Sequence, residues 1–475
     1  MSEKFYITTP IFYPNAKLHM GHAYTVTLCD VIARAQKLQG KEVYFLTGAD
    51  ENTGKILKVV EEQGQSVEEY LDQVTLNFKD LYSKLGISYD QFIKTSDKKK
   101  HWPGAEALWK KLVDAGDIYK ASYTGLYCVG CETFYTEKDL VDGKCPVHLT
   151  VPEKIEEENY FFKLSKYTQS IKEKIQTNEL LILPQTRKNE ILALLERGLE
   201  DVSFSRPLKN VPHGIPVPGD DSQVIYVWCD ALVNYISALG YGRDDELFQK
   251  FWPAQVHVIG KDILRFHAAI WPAMLLSAGV TLPKSLLVHG LITSGGHKMS
   301  KSLGNVIDPY QLIEEYGYEA VRYYLTREVS PFEDGDMTIE RFKDSYNANL
   351  ANGIGNLTSR IMKMAQDNLD APVTVAEQED MSAYFAFYDS YEISKAADYI
   401  WNEIKSLDQY IQENQPFKVV KADKEAGQQM ISSLVTRLYS VARMLNPILP
   451  ETSAKIKKLI VENKVPETAL FVRKD

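Results

Sequence analysis

His19-Met20-Gly21-His22 stands between a short apolar β-rich run, Phe5-Tyr6-Ile7-Thr8, and a stretch to Leu38 in which Val26, Cys29, Ile32 and Ala35 recur at helical spacing. The tetrapeptide therefore occupies a strand-to-helix junction. Val43-Tyr44-Phe45-Leu46 follows as a second strand of the fully buried type, so residues 4–48 read as a βαβ unit of a parallel sheet. A helix N-terminus offers free N–H groups and the positive end of a dipole, and Gly21 lets a nucleotide approach the backbone. His19 and His22 can donate to phosphate oxygens as charge develops. The run from Gly48 to Gly54 lies at the carboxyl edge of the second strand, where open α/β sheets bind ligands.

Far downstream, Lys298-Met299-Ser300-Lys301-Ser302 places two ammonium groups on a loop opened by Thr293-Ser294-Gly295-Gly296. Such a loop can close over a triphosphate. Between these two strings the texture changes. From about Asp117 to Asp221 the chain carries an acidic run, Glu156-Glu157-Glu158, amphipathic helices and the array Cys128-x2-Cys131-x13-Cys145-x2-His148. Three thiolates and one imidazole at this spacing reach a tetrahedral zinc ion, and with no open position the metal reads as structural. Cys29 and Cys229 read as small buried apolar residues. Strand patterns return at Val224-Ile225-Tyr226-Val227-Trp228, Val256-His257-Val258-Ile259 and Leu286-Leu287-Val288. After Ser345 they give way to long helical patterns, broken at Pro372 and Pro416, that read as a bundle.

The 475 residues suffice for about three domains. With 44% hydrophobic and 25% charged residues the composition is that of an ordinary globular protein, and the formal charge of −10 argues against a bulk polyanion binder while leaving room for a local basic face. No secretory segment opens the chain, and the most apolar stretch, Ala268 to Pro283, is short and interrupted, so no membrane partner is expected and the chain reads as cytoplasmic.

H-x-G-H after a first strand and K-M-S-K-S on a later loop, in this order, resemble the paired ATP signatures of the class I aminoacyl-tRNA synthetases, and the detail is similar to the methionine-specific family. Thr9 to Asn15, Asp50, Tyr226 to Tyr235 and Gly260 to His267 match that family's pattern, and the resemblance covers essentially the whole chain. It implies an α/β fold: a split Rossmann-type parallel sheet with an inserted zinc-knuckle connective domain and a C-terminal helical bundle. The implied boundaries are 1–116, 117–223, 224–292, a loop and stem-contact segment 293–345, and an anticodon-binding bundle 346–475. The implied reaction joins L-methionine to tRNA(Met) through a methionyl-adenylate, releasing diphosphate and AMP, with magnesium accompanying ATP. By position, Ile11, Tyr13, Trp228, Leu232, Tyr235, Ile263, Phe266 and His267 face the methionine side chain, with Asp50 on its ammonium group. His19, Gly21, His22, Asp262, His289, Gly290, Lys298, Met299, Ser300 and Lys301 serve ATP, and His19, His22, Lys298 and Lys301 carry the chemistry. Asp262 and Asp230 are assigned to ribose binding or to loop anchoring. Asn356, Arg360 and Phe417 meet a CAU anticodon.

Two positions depart from the family. Asn52 stands where histidine is more usual, and Phe417 replaces a tryptophan that stacks on an anticodon base, keeping an aromatic face of smaller area. Many members continue past the equivalent of Asp475 into a tRNA-binding dimerisation module; as the chain stands it reads as a monomer. Leucyl, isoleucyl and valyl enzymes would need a large editing insertion that 117–221 cannot hold. A cysteinyl enzyme would place a metal-binding cysteine before H-x-G-H, and a small dinucleotide-forming nucleotidyltransferase would have no use for the bundle.

Overall fold

The computed structural model describes residues 2–14, 18–131, 133–135, 137–147, 149–299, 304–375 and 380–475. They form two compact units. The first comprises Met1–Leu18, Glu42–Asp80 and Ser88–His289, and the second His19–Lys41, Leu81–Ile87 and Gly290–Asp475.

In the first unit a six-stranded sheet is built from β1 (Lys4–Thr8), β2 (Glu42–Ala49), β3 (Gln91–Lys94), β4 (Leu181–Leu183), β5 (Val256–Gly260) and β6 (Ser285–His289). Its order is β3-β2-β1-β5-β6-β4 and every pairing is parallel, with Ile7 opposite both Phe45 and Val256. Strands buried on both faces are mostly apolar, as β1, β5 and β6 are around the buried polar residues Thr8, His257, Ser285 and His289. The chain order reverses at β1 and β5, the switch point beyond whose carboxyl ends such sheets open a crevice. β4 comes from within the stretch read as an insertion, so that stretch returns one strand to the main sheet.

The remainder of the inserted stretch is centred on an antiparallel pair, Ile118–Cys128 with Glu153–Phe162, registered from Ile118 opposite Phe162 to Tyr127 opposite Glu153. The acidic run lies on the second of these strands. One expected element takes another form. The strand Asp220–Ile225 ends before Tyr226, pairs antiparallel with Ser205–Pro207, and does not join the main sheet; Val227–Ser237 is a helix instead. Every residue of that helix is buried, so its aromatic and β-branched run has no polar face, and periodicity cannot separate it from a buried strand.

In the second unit the helix Met20–Leu38 carries Val26, Cys29, Ile32 and Ala35 fully buried, as the helical spacing requires. The same unit contains the helices 356–368, 393–414, 416–422, 424–445 and 450–462. Pro416 opens a new helix just after Gln415, which turns the chain with φ +47. Inside this unit Arg322 and Asp30 form a wholly buried ion pair at 2.7 Å. The guanidinium also donates to the carbonyls of Ile448, Leu85 and Pro447, tying the first helix to the turn before Pro450–Glu462. Among the described residues no helix is long and apolar enough to cross a membrane.

Candidate active site

The carboxyl end of β2 shapes the first part of the site. Phe12 bridges Ala49 in parallel and its carbonyl accepts from the Asp50 N–H at 2.9 Å, so Ile11-Phe12-Tyr13 runs beside the strand end. Gly48 is needed there: a Cβ would lie 2.2 Å from the Ile93 carbonyl oxygen and 3.0 Å from Ile11 Cγ2. Asp50 is buried. Trp228, Leu232 and Tyr235 recur at i, i+4 and i+7 on the helix Val227–Ser237, which puts them on one face. Phe266 stacks on Trp228 with centroids 3.6 Å apart, while Tyr13 and His267 meet the same indole edge-on at 6.4 and 6.5 Å. Leu232 is buried, and Ile11 and Ile263 pack against the same core. All the side chains that the sequence assigns to methionine thus fall in the first unit, and the rings among them form one cluster.

The polar handle in this cluster is neutral. His267 Nδ1 lies 3.0 Å from the Ile263 carbonyl, which can only accept, so Nδ1 carries the proton and Nε2 accepts from the Tyr235 hydroxyl at 2.7 Å. Burial lowers the His267 pKa to about 4. The Tyr6 hydroxyl in turn donates to the Tyr235 carbonyl, and His257 stacks on Tyr235 at 4.1 Å. Burial, and then the neighbouring His267, hold His257 well below the usual histidine range. Tyr6 and His257 belong to strands in the sequence, and nothing in their spacing marks them as supports of a pocket.

A second web fixes the loop after Asp50. Asn52 Nδ2 donates to Asp230 Oδ2 at 2.7 Å and to the Thr95 carbonyl at 2.9 Å, and the other oxygen of Asp230 meets His101 Nε2 at 2.5 Å. His101 Nδ1 reaches Ser237 Oγ at 2.8 Å, and Thr95 Oγ1 accepts the Glu51 N–H at 2.7 Å. Asp230 therefore anchors the loop. The departure at Asn52 keeps a donor for that carboxylate. Asp262 is exposed beyond β5, where Gly260 leaves it room: a Cβ on Gly260 would lie 2.5 Å from Asp262 Oδ1. His289 closes β6, buried.

The signature histidines lie in the second unit, at the start of Met20–Leu38. His19 Nδ1 accepts the Gly21 N–H at 3.1 Å and His22 Nδ1 accepts the His19 N–H at 3.2 Å, a reciprocal cap with ring centroids 4.0 Å apart. Both Nδ1 atoms accept, so each neutral ring carries its proton on Nε2 as a donor. Burial, with His19 adding to it, lowers the His22 pKa well below the usual range and keeps that ring neutral. Gly21 has a further reason to be glycine, since a Cβ would sit 2.9 Å from His19 Cε1. In the same unit Ile292–Ser294 and His297–Lys298 form a hairpin through Gly295 and Gly296, both at positive φ, and Asp336 accepts the Gly296 N–H at 2.8 Å. Met299 follows this hairpin; Ser300 and Lys301 lie outside the described residues. Gly290 opens the second unit, where a Cβ would lie 2.0 Å from the Glu333 carbonyl oxygen.

Cys128, Cys131 and Cys145 bring their sulfurs within 4.8 Å of one another, a group able to hold a metal ion. His148 lies outside the described residues. Cys29 and Cys229 are buried, as expected. On the bundle, Asn356 and Arg360 share a face of the helix Asn356–Asn368, and Arg360 and Phe417 line one open groove with Met364 and Ile411.

A family model described as "tRNA synthetases class I (M)" matches residues 5–154 and 138–362. The methionine–tRNA ligase of Clostridium acetobutylicum is 44% identical over 476 residues, covering 96% of this chain and 73% of the relative. The chain belongs to the class I methionyl-tRNA synthetases. A Thermotoga maritima methionine–tRNA ligase is 40% identical over 482 residues, covering 98% and 76%. Mycobacterium tuberculosis methionyl-tRNA synthetase in complex with methionyl-adenylate superposes with a TM-score of 0.90 at 35% identity, over 99% of this chain and 100% of that one. The fold class read from the sequence is thereby the observed one: a parallel α/β sheet, a cysteine knuckle and a helical C-terminal region.

Proposed function

We propose that this chain activates L-methionine with ATP and transfers it to tRNA(Met) bearing a CAU anticodon, and that the ring cluster around Trp228 is its methionine site. The carrying observation is the neutral Tyr235–His267 pair set among stacked rings in the first unit. A thioether suits a polarisable lining with a weak polar handle, each sulfur–ring contact adding about 0.3–1.5 kcal/mol. Against leucine a hydrophobic site separates a one-group difference by only ~1–3 kcal/mol, so shape and exclusion of water supply the rest.

In the first step the methionine carboxylate attacks the α-phosphorus of ATP in line and pyrophosphate leaves, giving methionyl-adenylate. Asp50 holds the ammonium group. The Nε2–H donors of His19 and His22 act on the transferring phosphoryl, Lys298 and Lys301 on the departing pyrophosphate, and Gly21, Asp262, His289, Gly290, Met299 and Ser300 complete the nucleotide site. Neutral donors on a helix N-terminus suit a charge that grows in the transition state. Magnesium bound with ATP would share the neutralisation. In the second step a terminal ribose hydroxyl of tRNA attacks the adenylate carbonyl and AMP leaves, with no enzyme nucleophile. Asn356, Arg360 and Phe417 would receive the anticodon.

Cys128, Cys131, Cys145 and His148 would hold one structural zinc ion, the donor set being soft and closed. Metal analysis should then give about one zinc per chain, reduced in Cys128→Ser. We further propose that the chain acts as a monomer in the cytoplasm. The deciding experiment is pyrophosphate exchange across all twenty amino acids: methionine should support it, and a preference for any other amino acid would overturn the assignment.

A further inference from the structure

Arg360 meets a second residue that no motif marks. Its Nη1 donates to Asp408 Oδ1, and among the described residues no other acceptor meets that guanidinium. The other oxygen of Asp408 accepts from Gln412 Nε2 at 2.5 Å, one turn along the helix Ile393–Asn414. The pair is partly open to solvent, the Arg360 side chain 35% and that of Asp408 37% exposed. It stands at the groove that Phe417, itself 42% exposed, shares with Met364, Ile411 and Val465.

Exposed ion pairs of this kind add little to stability, so the fold does not explain this one. A guanidinium on a long flexible stem loses rotamer freedom when it binds a planar partner, and a carboxylate holding one of its nitrogens removes part of that loss beforehand. Asp408 is itself held by Gln412, so the guanidinium plane is set from the neighbouring helix, and its other N–H groups are left for an occupant of the groove. Beside them the ring of Phe417 offers a stacking face, over an apolar floor of Met364, Ile411 and Val465 with Ser359 and Lys363 also on the lining. An unpaired base, stacked on one side and hydrogen-bonded at its edge, has the chemistry that fits.

We propose that Asp408 is a positioning residue for anticodon recognition, acting through Arg360. The proposal rests on the reading of Asn356, Arg360 and Phe417 as the anticodon surface. The alternative role for a carboxylate here is simple repulsion of a polyanion, and it predicts the opposite sign on removal.

The test is a double-mutant cycle of Asp408→Ala and Arg360→Ala, with Asp408→Asn beside it, in the full chain. Aminoacylation of a CAU-anticodon tRNA and pyrophosphate exchange are measured on the same preparations. Arg360→Ala should lower kcat/KM for tRNA by roughly tenfold to a hundredfold. Asp408→Ala should lower it by about fivefold to tenfold, and in the Arg360→Ala background by less than about twofold, because residues acting through one contact are not additive. Asp408→Asn keeps an acceptor oxygen and should recover most of the loss. Exchange should stay at the parental rate in all four variants. Aminoacylation unchanged or faster in Asp408→Ala, an equal loss in both backgrounds, or a parallel loss of exchange would each overturn the proposal while leaving a slow Arg360→Ala to support the anticodon surface. Arg360→Ala charging tRNA at the parental rate would overturn that reading and the proposal with it.

Discussion

The ring cluster around Trp228 and the groove around Arg360 use similar materials, aromatic rings with a polar group beside them, yet they differ in exposure and charge. In the cluster, Trp228, Tyr235 and His267 are buried and the histidine is neutral. In the groove the ring of Phe417 is open and the polar partner is an ion pair at the surface. The contrast follows from the proposed ligands. A thioether side chain offers no charge to compensate, so a charged handle around it would have to be desolvated at a loss. A nucleic-acid base arrives with its own hydrogen-bonding edge and a charged backbone, so a solvated guanidinium held in place suits it.

The largest effect is expected at Trp228. Truncating a buried indole costs ~3–5 kcal/mol in a core. Trp228→Ala should therefore lower the urea midpoint and depress both exchange and aminoacylation. If only aminoacylation fell, the indole would belong to the tRNA step and the contrast would be false. Next comes Arg360→Ala, with a loss of about 1–3 kcal/mol confined to tRNA and exchange intact. Equal losses in the two assays would make Arg360 a support of the fold.

Smaller effects are expected within the ring cluster. Tyr235→Phe removes the hydroxyl that His267 Nε2 accepts, a change of about 1 kcal/mol. Its signature is a raised KM for methionine with the KM for ATP unchanged; an unchanged KM for methionine would place the pair outside the site. The last test is pH. His267 has a folded pKa of about 4 against about 6.5 in an unfolded chain. As pH falls between these values the unfolded chain binds a proton that the folded protein refuses, so this contribution is complete above about 6.5 and is lost toward pH 4. The urea midpoint should decline over that window, less steeply in His267→Gln. An identical slope in the variant would assign the decline to other groups.

How far each site is legible in the sequence follows from how local its determinants are. His19, Gly21 and His22 lie within one turn, so their helix start can be read from the chain, although the reciprocal Nδ1 caps that leave the ring protons on Nε2 appear only in the folded backbone. Trp228, Leu232 and Tyr235 share a helical register that the motif already contains. The start of that helix, Val227-Trp228, nevertheless reads as the end of a strand, because a segment buried on every side loses the polar face that periodicity needs.

By itself the sequence determined the order of strand, signature and helix, the cysteine array, the apolar stripes of the bundle and the residue types at each site, since these depend on neighbours a few positions apart. Only the tertiary structure decided the rest. Asn52, Thr95, His101 and Asp230 meet across up to 178 residues, Leu181–Leu183 returns to the main sheet, and Asp408 reaches Arg360 over 48. The charge state of His267 belongs to this second group as well, because burial sets it, and burial is a property of everything packed around a side chain and not of its place in the chain.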